Sequence, residues 1–278
     1  MRVHVAVATV GRAELVWRTV DMLADQTRPP DGIVIATVTR QDVAGIEQAR
    51  GNPRVLFSEK GLCRQRNRAL AALRGEADVV VFFDDDFVPA PDYLANVEAL
   101  LRVNPQIAGI TGDLLADGVL SGGLPIEQAR AIIARRSPGR SPAVVERREL
   151  YGCNMAIRMG AAEGLRFDEN LPLYGWQEDV DFTNRLGRRG RLIASASVTG
   201  VHLGASGGRS PGHRLGYSQI ANPLYLRRKG TMRAELGHRL MARNMLANLL
   251  GSLKPEPGID RRGRLRGNLH AVIDCLRG

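Results

Sequence analysis

The chain has 278 residues, 44% of them hydrophobic, and a formal net charge of +10. That is enough for one large domain, or for a domain with a substantial appendage. Three cysteines (Cys63, Cys153, Cys275), without zinc-site spacing, argue against a disulfide framework and for a reducing, cytoplasmic setting, and no apolar run approaches the ~20 residues that span a bilayer.

The elements follow in chain order. Residues 3–8 read as a first strand, with too short an apolar stretch for a signal peptide. Residues 12–25 are helical, with Val16, Val20 and Leu23 on one face. Pro29-Pro30-Asp31-Gly32 is a turn, and residues 33–38 form a second strand. A weak helix over 43–50, a short strand over 54–57 and a helix from Gly61 to about residue 73 precede a strand over 78–83. Pro91 suits the first turn of a helix reaching about residue 103, and residues 107–111 are the next strand. This alternation predicts a doubly wound, mostly parallel α/β sheet. Residues 114–149, rich in Gly, Pro, Ser and Arg, read as a surface excursion. A strand over 151–158, a helix from about 178 to 190 and two short strands over 191–195 and 197–203 complete the domain. A Gly/Ser-rich linker over 204–216 leads into basic, largely helical sequence.

The charge is unevenly placed. Between Leu203 and Gly278 lie 14 lysines and arginines against 4 acidic residues, so the last quarter carries the whole basic excess. Met232, Leu236, Leu240 and Leu250, with Arg233, Arg239 and Arg243, predict amphipathic basic helices that would be drawn to anionic lipid. A solvated basic face on a helical cap is the alternative.

Asp84-Asp85-Asp86 follow the apolar run Val79-Val80-Val81-Phe82-Phe83. A non-alternating β-branched and aromatic run reads as a strand buried on both faces, and ligands of open α/β sheets bind beyond the carboxyl ends of such strands. Three adjacent carboxylates repel one another unless a cation joins them. Mg²⁺, which commonly bridges carboxylates to phosphates, is the simplest candidate; a solvated helix cap would need one Asp, not three.

The second acidic cluster is Glu178-Asp179-Val180-Asp181. Asp181 and Arg185, four residues apart, predict a helix-surface pair, with Phe182 and Leu186 toward the core. Glu178 and Asp179 would sit at the helix start, where the dipole favours carboxylates; a general base beside an aromatic is the functional alternative. Tyr174 and Trp176 are candidate platforms for a sugar ring. His202 is a lone histidine, more often structural than a ligand.

In their order and separation these segments resemble the GT-A fold glycosyltransferases of family 2, over roughly residues 3–205. The resemblance rests on the first strand with Thr9 and Arg12, on Gly61-Leu-Cys-Arg-Gln-Arg66-Asn67, on Asp84-Asp85-Asp86, on the strand over 151–158, on Glu178-Asp179-x-Asp181 and on His202. It implies a Rossmann-like GT-A catalytic domain over 1–205, with a nucleotide-sugar-binding half over 1–112 and an acceptor half over 113–205, followed by a basic helical region over 206–278. It also implies inverting transfer from a nucleotide-diphosphate sugar to a glycan or lipid-linked acceptor, in bacterial polysaccharide or cell-envelope glycan synthesis, by a protein peripheral to the inner face of the membrane.

The roles carry over residue by residue. Asp84, Asp86 and His202 would hold Mg²⁺ or Mn²⁺; Thr9, Arg12, Arg66, Asn67, Asp84 and Asp85 would bind the donor. Asp179 would be the catalytic base, with Glu178 beside it, and Tyr174 and Trp176 would meet the acceptor. The family carries an Asp soon after the second strand to read uracil or ribose; here Asp42 is the only carboxylate, and it comes late. A nucleotidyltransferase would show a Gly-rich first loop with a Lys, absent from Thr9-Val10-Gly11-Arg12. A nucleic-acid binder would use the basic tail but has no need of Asp84–Asp86.

Overall fold

The computed structural model describes residues 1–119, 122–136, 143–173, 175–205, 211–254, 256 and 259–277. Four strands, β1 (Val3–Ala8), β2 (Gly32–Thr37), β3 (Arg54–Phe57) and β4 (Val79–Asp84), pair in parallel, interleaved with α1 (Ala13–Leu23) and α2 (Leu62–Leu73). Then come β5 (Phe87–Pro89), α3 (Tyr93–Val103), β6 (Ile107–Asp117), α4 (Ile126–Ala134), β7 (Val144–Arg147), β8 (Asn154–Arg158), α5 (Glu178–Leu186) and β9 (Arg191–His202). The sheet runs β3-β2-β1-β4-β8-β6-β9-β5, with β7 on β9. β6 and β9 are parallel; the antiparallel β8 joins their half of the sheet to β4. Three helices close the chain: α6 (Gly212–Lys229), α7 (Ala234–Leu253) and α8 (Arg261–Arg277).

The apolar run of β4 is buried on both faces, as its lack of alternation requires. Val79, Val81 and Phe83 enter one core with Tyr93, while Val80 and Phe82 enter the other with Phe167 and Phe182. Phe83 stacks on Phe87 at 5.0 Å, and Phe167 on Phe182 at 4.2 Å. Truncating one such ring to Ala costs about 3–5 kcal/mol.

Several sequence expectations change. Residues 114–149 are not one irregular excursion, because β6 continues to Asp117 and α4 and β7 follow. The weak helix over 43–50 is two 3₁₀ turns, Arg40–Val43 and Ile46–Gln48. The two short strands after α5 are one, β9, whose pairing with β6 shifts register between Gly112 and Asp113. Asp181 is not on the surface. It is fully buried, pairs with Arg185, and accepts from Thr231 Oγ1 at 2.7 Å with Lys229 Nζ at 2.9 Å. It thereby ties α5 to the end of α6. Asn222 to the Trp176 carbonyl and Tyr225 to Asp168, both at 2.8 Å, fasten α6 to the same region.

Register sets the site. Ala8 lies beside Asp84 across β1 and β4, so the loop after β1 runs alongside the aspartates. Phe83 pairs with Asn154, which brings the turn before β8 to the same edge. His202 ends β9 opposite Asp117 on one side and Phe87 on the other.

Candidate active site

Asp84, Asp86 and His202 converge, their ligand atoms within 4.8 Å of one another. His202 Nε2 faces Asp86 Oδ1 at 3.3 Å, and its Nδ1 faces Asp117 Oδ1 at 3.1 Å. Burial alone would lower the imidazole pKa, but the two carboxylates push it up to about 10. Asp86 is buried, yet His202, Arg12 and the Ala205 N–H hold it below its ordinary value. Two carboxylates and an imidazole are a donor set for a hard or borderline divalent cation. An imidazole held at its other nitrogen by a carboxylate is the usual arrangement around a ligating histidine.

Asp85 is occupied differently. Its Oδ2 accepts from Thr9 Oγ1 and its Oδ1 from Arg12 Nη1, both at 2.6 Å, while its carbonyl accepts from Thr19. Burial raises its pKa to about 6 despite Arg12. Thr9 and Arg12 are thus brought to the aspartates, and through Asp85 they fix the loop after β1. A cleft of about 510 Å³ opens beside Arg12, lined also by Arg18, Leu124, Leu203 and Ala205.

Arg66 lies between the two acidic clusters. It is buried, with its guanidinium over the Phe82 and Phe167 rings. It donates to Glu178 Oε1 at 2.6 Å, to Asp84 Oδ1 at 2.9 Å and to the Gly152 carbonyl at 2.8 Å. Burial and Asp179 push Glu178 up to about 8 against the pull of Arg66. A protonated Glu178 still accepts from Arg66 through its carbonyl oxygen. Asn67, next in the chain, uses its amide to hold Phe167 and Glu169.

Asp179 is held by backbone. Its Oδ2 accepts from Gly152 N at 2.9 Å and its Oδ1 from Val180 N at 2.8 Å. Each oxygen keeps a further lone pair for an incoming proton. Burial raises its pKa, only partly offset by the Gly152 N–H and Arg66. Trp176 precedes α5, its carbonyl bound by Asn222; Tyr174 lies outside the described residues. Asp42, the late carboxylate, is spent on Thr39, Thr37 and the Gly11 N–H.

Two contributors escaped the sequence reading. Asp117 had a signal: Leu114-Leu115-Ala116-Asp117 is an apolar run ending in Asp, as β4 is. Gly152 had none. A Cβ there would lie 3.1 Å from Arg66 Nη1 and from Asp179 Oδ2, so any larger residue would push the arginine or the carboxylate by a few tenths of an ångström.

A metal-competent triad and a separate, backbone-held carboxylate thus share one edge of a GT-A-like sheet. The sequence pattern of glycosyl transferase family 2 matches residues 4–114. The mannosyltransferase PcManGT from Pyrobaculum calidifontis, in complex with GDP-Man and Mn²⁺, is similar at 16% identity and a TM-score of 0.55, covering 99% of this chain and 86% of that one. Glucosyl-3-phosphoglycerate synthase from Mycobacterium tuberculosis, with Mn²⁺, UDP-Glc and phosphoglyceric acid, is similar at 19% identity and 0.53, covering 84% and 81%. Residues 1–349 of S. aureus TarS give 14% identity and 0.54, covering 100% and 91%. At these identities the likeness to the three is one of fold. No curated protein sequence matches the chain.

Proposed function

We propose that the protein transfers a sugar, with inversion, from a nucleotide-diphosphate sugar to a hydroxyl of a glycan or lipid-linked acceptor, in bacterial polysaccharide or cell-envelope glycan synthesis. The observation that carries this reading is the division of the site: Asp84, Asp86 and His202 on one side, Asp179 on the other, with Arg66 hydrogen-bonded to Asp84 and to Glu178. Inverting transfer needs one group for the leaving diphosphate and another for the nucleophile. Mg²⁺ or Mn²⁺ bound to the triad would supply Lewis-acid stabilisation of the charge that develops on the leaving group. Asp179 takes the proton of the acceptor hydroxyl as that oxygen attacks the anomeric carbon from the face opposite the diphosphate. Thr9, Arg12 and Asp85 hold the loop beside the donor, and the cleft next to Arg12 has room for part of it. Trp176, just before α5, stands on the acceptor side. The basic C-terminal region would draw the enzyme to the inner face of an anionic membrane.

Thermal-shift measurements with a panel of nucleotide sugars, with and without Mn²⁺, test the donor reading. One nucleotide sugar is expected to stabilise the protein only when Mn²⁺ is present, and Asp86→Ala to abolish that dependence. Equal stabilisation of both proteins without metal would refute it.

A further inference from the structure

The last two helices, α7 and α8, bury small and polar residues rather than large apolar ones. The buried residues of α7 are Gly237, Asn248 and Gly251, and those of α8 are Gly267, Asn268 and Ala271. The contacts between helices are polar or backbone-close. Asn248 Nδ2 donates to Gln219 and to Asn268, both at 2.8 Å, and Asn268 Nδ2 donates to the Gly216 carbonyl at 2.6 Å. A Cβ on Gly216 would lie 2.0 Å from the Arg264 carbonyl oxygen, so α6 and α8 touch backbone to backbone. Apolar packing among these helices centres on a small cluster of Ile220, Ala221 and Ala271, flanked by Met241 and Met245.

Leu236 and Leu240 of α7 pack against the main core, but several large aliphatic side chains of α7 and α8 point away from it. On α7, Leu246, Leu249, Leu250 and Leu253 are exposed, Leu253 at 77%. Their spacing of three, one and three residues makes one continuous stripe. On α8, Leu269, Ile273 and Leu276 are exposed at spacings of four and three, Leu276 at 82%. A helix made for water does the reverse. Small residues and amide hydrogen bonds at helix contacts, with leucines outward, are the packing used where the surroundings are themselves apolar.

We infer that the outward faces of α7 and α8 seat in the interfacial layer of an anionic lipid bilayer. This deepens the peripheral-membrane reading, on which it rests, from charge attraction to insertion of an apolar face. Charge selects the occupant. Arg239, Arg243, Arg266 and Arg277 are exposed on the same two helices, and none pairs with a carboxylate among the described residues. Glu235 and Asp274 are the only acidic residues the two helices carry. A second copy of the chain would set arginines against arginines, whereas anionic headgroups complement them while the leucines enter below. No helix among the described residues is long and apolar enough to cross a membrane, so the helices would lie in its plane.

Co-sedimentation of the full chain with vesicles tests this. Vesicles of phosphatidylcholine mixed with phosphatidylglycerol are expected to retain the protein, and part of that retention to survive high salt. The paired variant Leu250→Glu/Leu276→Glu is expected to lose retention about tenfold or more while its melting temperature is unchanged. Leu250→Ala/Leu276→Ala, which adds no charge, is expected to show a smaller loss in the same direction. Retention abolished by salt and indifferent to both leucine pairs would leave charge attraction standing and overturn the apolar seat. So would a dimer in sedimentation velocity that the leucine variants dissociate. Absence of retention on any vesicle would overturn both membrane readings without touching the transferase reading.

Discussion

Arg66 donates to Glu178 at 2.6 Å inside the protein, although the two residues are 112 positions apart in the chain. The same guanidinium reaches Asp84 and the carbonyl of Gly152, whose N–H binds Asp179. One buried cation therefore fixes the spacing between the metal-competent aspartates and the candidate base. Breaking such buried polar contacts is costly, and that cost holds the two acidic clusters at a fixed separation.

Asp179→Asn is expected to fold and to bind the nucleotide sugar with unchanged affinity while transfer falls by ~10²-fold or more. Because burial raises the Asp179 pKa, the acid limb of the wild-type rate profile is expected above the ordinary carboxylate range. The rate falls there because the base is protonated as pH drops. Near-normal turnover by the variant would remove Asp179 from its role.

Glu178 gives a pH signature in stability. Its pKa rises from 4.5 to about 8 on folding. Between those values the folded chain holds a proton that the unfolded chain has released, so stability falls as pH rises through that window. Glu178→Gln is expected to flatten that slope, the two curves diverging by on the order of a few kcal/mol by about pH 8. Urea midpoints of metal-free protein across the window measure it. Parallel curves would show Glu178 ionised beside Arg66 throughout.

Gly152→Ala would add a methyl group 3.1 Å from Arg66 and from Asp179. The neighbours can yield by a few tenths of an ångström, so folding is expected to survive with a loss of about 1–3 kcal/mol. The base moves with them, and kcat is expected to fall about 10- to 100-fold. Metal affinity is expected to hold. Calorimetry with Mn²⁺ beside steady-state kinetics separates the two effects.

Asp117→Asn removes the carboxylate that orients His202 while keeping its shape. Affinity for Mn²⁺ is expected to drop about 10- to 100-fold by calorimetry, as for other carboxylates behind ligating histidines. Unchanged affinity would mean that the triad does not use His202.

The acidic run of β4 was legible because its physics is local: an unbroken apolar strand must be buried on both faces, and charge can appear only at its end. The cluster at the start of α5 was legible as a helix start, but Asp181 was misplaced. Four-residue spacing shows that Arg185 can reach it, not that Thr231 and Lys229 cover it from the end of α6. Residues 114–149 read as irregular because the end of β6, α4 and β7 are each short and framed by Gly, Pro and Arg, so no period runs long enough to show.

The sequence by itself determined the parallel first half, the two acidic clusters, the candidate histidine and the basic tail, all properties of contiguous residues. Only the tertiary structure decided that Asp85 faces Thr9 and Arg12 while Asp84 and Asp86 face His202. It alone placed Asp117 behind that histidine and Gly152 between Arg66 and Asp179, and turned several leucines of α7 and α8 outward. Each of these depends on strand register or helix rotation. Both are set by contacts between segments tens of residues apart, and no local pattern records them.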